Sequence, residues 1–151
     1  MNTASHVVLA TRFGAESEIT AAEARRLATF LGGGITVVYV ATELKAIAAA
    51  GGEAGIEPTA QRAQQLESIR EQLLEFVATQ MQDMQVSVRV IEGDVATGVA
   101  AVAAELNAAY LVVGTHGRST LARLVLGDTT HAILQHAPCP VVVVPLRAGA
   151  H

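Results

Sequence analysis

A chain of 151 residues with a formal charge of −4 and a pI near 5.7 fits one domain, and at that size folding removes about 70% of the unfolded surface from water. The ten Lys and Arg are scattered without a basic run, which argues against nucleic acid as a partner, because neutralising phosphates needs clustered cations. The start MNTASHVVLATRFG has no cationic leader segment, and no stretch reaches the ~18 apolar residues of a membrane span. The expectation is a cytoplasmic protein, one domain over 1–151, with no membrane partner.

Residues are 51% apolar but only 3% aromatic, so the core must be built of Val, Leu, Ile and Ala, as where helices lie on a valine-rich sheet. Short β-branched runs alternate with stretches of helical period, the pattern of a parallel sheet covered on both faces. The first run is His6–Thr11. A helix over Glu16–Leu31 follows, with Ile19, Ala24, Leu27, Ala28 and Leu31 on one side, ended by Gly32, Gly33 and Gly34. The second run is Ile35–Val40, after which AAAGGEAGIEP reads as an exposed loop. Leu66, Ile69, Leu73, Val77 and Met81 then recur at spacings of three and four, marking a long amphipathic helix.

Val86–Ile91 is the third run and leads into Glu92-Gly93-Asp94, where Asp94 can cap a helix that buries Val95, Val99, Val102 and Leu106. The fourth run is Tyr110–Gly114. A last short helix begins near Asp128 and delivers the chain to the fifth run, Pro140–Pro145. The near-continuous apolarity of these runs predicts burial on both faces. Right-handed crossovers then favour an α/β, doubly wound five-stranded parallel sheet of order 3-2-1-4-5, with ligands bound past the carboxyl ends of strands 1 and 4, where the winding reverses.

Chemistry concentrates in Gly114-Thr-His-Gly117, nine further residues, and Gly127-Asp128-Thr129 at the start of a helix. Glycines let backbone N–H groups approach a phosphate, and a helix N-terminus adds free donors and the positive end of a dipole. Arg118 and Arg123 lie between the glycines and could add charge-assisted bonds. The same glycines could instead serve only to turn the chain. Neither G-x-G-x-x-G after the first strand nor G-x-x-x-x-G-K-[ST] is present, so a dinucleotide Rossmann site and a Walker-type loop are both unsupported. Cys139 has no cysteine partner, and it reads as a small buried hydrophobe at a strand start. His116 reads as a loop residue and His131 as helix surface, while His6, His136 and His151 look incidental.

GTHGRSTLARLVLG followed by HAPCPVVVVP resembles the C-terminal signature of universal stress proteins, and the likeness extends through VVYV, VIEGD and YLVVG over essentially the whole chain. That resemblance implies a Rossmann-like adenine-nucleotide-binding fold and a stress-response homodimer paired through the last strand, Val141, Val142, Val143 and Val144. It also implies ATP as cofactor, held by a G-x2-G-x9-G-[ST] loop. By position Gly114, Gly117 and Gly127 match its three glycines, and Val40 takes the place whose backbone recognises adenine. Thr11, Arg12, Thr115, His116, Arg118, Asp128, Thr129 and Thr130 complete the implied site.

Two positions depart from the family's ATP-binding pattern. Arg12 stands where an acid usually contacts the nucleoside, and Asp128 stands where Ser or Thr faces phosphate. Asp128 has three readings: repulsion of a triphosphate, coordination of a Mg²⁺ that accompanies it, or capping of the last helix with Thr129 and Thr130 left to supply hydroxyls. Arg12 is an exposed loop residue, or it pairs with a phosphate or with Asp128. The alternative function is therefore a structural or protein-interaction dimer that does not bind ATP. An enzyme is not expected beyond slow ATP hydrolysis, since no dedicated base is placed, and a redox or metal enzyme has still less behind it.

Overall fold

Along each inner strand, alternate residues are buried on opposite sides, and this sets up the whole fold. In the computed structural model, which describes residues 5–12, 17–42, 58–115 and 127–145, the strands are β1 (Val7–Ala10), β2 (Ile35–Ala41), β3 (Val86–Glu92), β4 (Tyr110–Gly114) and β5 (Val141–Val144). The helices are α1 (Ser17–Leu31), α2 (Pro58–Gln80), α3 (Val95–Glu105) and α4 (Asp128–His136). All strand pairings are parallel and their order is β3-β2-β1-β4-β5, the doubly wound arrangement expected from the sequence.

Val7, Leu9, Ile35, Val37 and Val112 point to one face and pack with Ala21, Ala24 and Ala28 of α1 and Leu73 of α2. Val8, Val38, Leu111 and Val113 point to the other and meet Ala96, Val99, Val102 and Ala103 of α3 and Ile133 of α4. A strand buried on both sides must be apolar at every position, and this is why β1 reads VVLA.

The buried stripe of α1 differs from the expected one. Ser17, Thr20, Ala21, Ala24 and Ala28 are buried, whereas Ile19 is 47% exposed. The step of five positions from Ile19 to Ala24 turns the helix by about 140°, so the two cannot share a face; small side chains instead let α1 lie close on the valine sheet. Leu27 and Leu31 flank the stripe, packed against the core and half-buried. In α2, Ile69 and Leu73 are buried as expected, with Met81 just beyond the helix.

Burial on both faces fails at the sheet's margins. β3 is half-buried or exposed throughout and β5 is buried only at Val144, because an edge strand has a neighbour on one side and less helix above it. The strand ends also shift. His6 and Thr11 fall outside β1, Ala41 and Glu92 extend β2 and β3, and Pro140 and Pro145 bracket β5 without joining it, since proline has no N–H to give a ladder.

Local signals explain the helix boundaries. Gly32 adopts φ +71° after α1, the left-handed conformation that ends helices. At Gly33 a Cβ would lie 1.9 Å from the Ser5 carbonyl oxygen, so only glycine permits the approach of this turn to the start of β1. Asp94 caps α3 as expected, its Oδ2 accepting from the Thr97 N–H at 3.1 Å. His6 is not incidental. Its Nε2 lies 2.7 Å from Thr36 Oγ1, which lies 3.1 Å from Ser87 Oγ, so a polar chain joins the amino-terminal ends of β1, β2 and β3. The loop predicted between β2 and α2 lies outside the described residues, apart from Pro58, which opens the helix.

Candidate nucleotide site

The carboxyl ends of β2, β1 and β4 stand side by side, with the reversal of winding between β1 and β4. At the end of β1, the buried Thr11 donates its N–H to Val38 O at 3.0 Å. Its hydroxyl donates to the Arg12 carbonyl oxygen at 3.1 Å, and Ser17 Oγ at the start of α1 donates to the same oxygen. The backbone of Arg12 is thus anchored by two hydroxyls while its side chain is exposed. Ser17 escaped the sequence reading; a serine at the first residue of a helix was the available signal.

Val38 and Val40 are two residues apart on one strand, so their backbone groups face the same side. Val38 O accepts from Thr11, so the Val40 amide looks toward the β1 side, past the last paired residue of that strand. The Val40 carbonyl accepts from Thr42 N–H at 3.0 Å. The resemblance puts adenine recognition at this Val40 backbone.

At the end of β4, Thr115 is buried and donates its N–H to Val144 O at 3.0 Å. The Gly114 carbonyl accepts from Thr130 Oγ1 at 3.2 Å, so the first turn of α4 is tied to the end of β4. Thr130 is 3% exposed, and its hydroxyl proton is spent on this tie; Thr129, half-buried, is the other hydroxyl of the turn.

Asp128 does not cap α4. The cap is Gly127, whose carbonyl accepts from His131 N–H at 3.0 Å and which has no side chain to bond the free amides. Asp128 is the first helical residue and is exposed. There its carboxylate still opposes the positive end of the helix dipole. Among the described residues no ion pair joins Arg12 to Asp128. His116, Gly117, Arg118 and Arg123 lie outside the described residues, while His131 is exposed as expected.

Farther along the same rim, Arg62 of α2 forks onto Glu92 at the end of β3, with Nε 2.8 Å from Oε1 and a second contact to Oε2. The guanidinium holds the Glu92 carboxyl below its ordinary range, and the carboxylate raises Arg62 in turn. Thirty residues separate the two, so no local pattern reveals them. Cys139 is half-buried in the turn before β5 rather than within the strand, and burial pushes its thiol up, away from reactivity.

A model described as the universal stress protein family matches residues 3–145. Comparison with curated proteins gives no match. Among solved structures, the hypothetical protein MJ0577 superposes with a TM-score of 0.75 at 16% identity, over 96% of this chain and 97% of that one. A universal stress protein in complex with cAMP matches at TM-score 0.63 and 19% identity, over 93% and 96% of the two chains. One from Archaeoglobus fulgidus in complex with dAMP matches at 0.59 and 15%, over 91% and 95%. At such identities the likeness establishes the shared fold.

Proposed function

The chain belongs to the universal stress protein family, and from that premise we propose that it is an adenine-nucleotide-binding regulatory protein, with ATP among its ligands, that binds its nucleotide rather than turning it over quickly. The observation that carries this reading is the placement of three elements on adjoining strand ends: the Val40 backbone edge, the anchored Thr11–Arg12 turn, and Gly114 tied to the amino end of α4. Two proteins of the same fold were solved with adenine nucleotides, cAMP and dAMP. The described part of the site, Thr11, Ser17 and Thr130 with the carbonyls they bond, offers hydroxyls and backbone groups that suit holding a nucleotide.

The exposed carboxylate of Asp128 is a hard oxygen that fits a Mg²⁺ accompanying nucleotide phosphates. The same residue, together with Arg12, supports the second reading, a family member that pairs with proteins and leaves ATP alone. A thermal melt with ATP, in Mg²⁺ and then in EDTA, separates them. At a hundred times its dissociation constant a ligand adds about 2.7 kcal/mol, a rise in Tm of roughly 5–10 °C for a domain of this size. A rise with ATP and not with GTP is the expected result; unchanged Tm with every adenine nucleotide would leave the second reading standing.

A homodimer through β5 belongs to the same proposal. The edge strand presents Val141, Val142 and Val143 half-buried, whereas the opposite edge, β3, carries Ser87, Arg89 and Glu92, the polar residues that protect a free edge.

A further inference from the structure

Strands in a sheet stand about 4.8 Å apart, so the ends of β2, β1 and β4 span about 10 Å, the scale of one nucleotide. With the base at the Val40 edge and a 5′-phosphate toward Gly114 and α4, the ribose lies over the end of β1, where Arg12 is exposed. The charges along this line are inverted relative to what a 5′-triphosphate requires: a guanidinium at the ribose and a carboxylate, Asp128, at the amino end of α4.

Arg12 is well suited to hold an anion. Two hydroxyls fix its carbonyl, and among the described residues its guanidinium makes no ion pair, so no ion pair to a described residue competes with a phosphate for its five donors. In dinucleotide-binding folds, where an acid reads free ribose hydroxyls, an arginine in its place accommodates a ribose phosphate; the same chemistry is open to Arg12 from the end of β1. At α4 the positive end of the helix is already opposed by Asp128, which lowers the attraction for a second anion there.

We propose that the ribose subsite of this chain takes a phosphate, and that its preferred ligand class is adenosine phosphorylated at the 2′ or 3′ oxygen, held by Arg12. The inference rests on the adenine-nucleotide reading and goes beyond it by choosing which end of the nucleotide carries the charge.

Calorimetric titration with adenosine 3′-monophosphate, 2′-monophosphate and 5′-monophosphate tests it, because the three are isomers of nearly equal charge. The expected result is that a 2′- or 3′-isomer binds about tenfold or more tightly than the 5′-isomer, the scale of one charge-assisted bond. Arg12→Gln should abolish that preference, and Asp128→Ser should strengthen 5′-isomer binding alone. Tighter binding of the 5′-isomer by the natural chain, or a preference that survives Arg12→Gln, overturns the inference while leaving nucleotide binding intact. Failure of all three isomers and of ATP overturns both.

Discussion

His6 shows how a single residue escapes a motif-based reading. Nothing in its neighbourhood in sequence marks it, yet β1 places its ring against Thr36, and burial lowers its pKa from the ordinary 6.5. The neutral ring is therefore favoured in the folded chain, and unfolding releases a more basic histidine. By linkage this stabilises the fold above pH ~6.5, the unfolded value, and the contribution is lost as pH falls through the lower folded value. Chemical denaturation between pH 8 and pH 5 should show the natural chain losing more stability than His6→Gln; equal losses would show that His6 carries none of the dependence. Asp128 is the complementary case at the same scale. Its residue type suits a helix cap, but capping depends on which carbonyl takes the first helical bond, and that carbonyl belongs to Gly127.

At the scale of elements, local chemistry was legible where neighbours in sequence supply both partners. Asp94 and Thr97 lie three residues apart, so the cap of α3 could be read directly. Asp94→Ala should lower stability by about 1 kcal/mol, seen as a lower midpoint in urea with an unchanged slope; an unchanged midpoint would mean that water replaces the cap at no cost. The buried side of α1 was less legible, because side-chain size misleads there. Ile19 is the more hydrophobic residue, but Thr20 and Ala21 are the ones buried, since a helix seated on a valine sheet favours small contacts. Likewise β3 and β5 read as fully buried strands from their apolar runs, although the order 3-2-1-4-5 itself sets both at the edges, where less helix covers them.

For the whole molecule, the two edges make opposite predictions about association. β3 carries polar residues and two ion pairs, Arg62 to Glu92 and Arg89 to Glu105, while β5 offers valines. Val142→Lys should therefore convert a dimer into a monomer in sedimentation at micromolar concentration, and Ser87→Lys should not. A natural chain that sediments as a monomer would remove the dimer. The candidate nucleotide site also belongs to this scale, because β2, β1 and β4 adjoin only after the chain has crossed the sheet in both directions.

From the sequence alone came the alternation of strands and helices, their parallel order, the glycine-flanked segment from Gly114 to Gly127, and membership of a family whose motifs are continuous in the chain. These are local periodicities and contiguous signatures, and each is written within a few residues. The tertiary structure alone decided that Arg12 is anchored by Thr11 and Ser17, that Thr130 ties α4 to Gly114, that Arg62 meets Glu92, and that His6 joins three strands. Most of those contacts join residues far apart in the chain. Their partners are chosen by the register of neighbouring strands and by how far each helix turns before it meets the sheet, and no pattern along the chain encodes either.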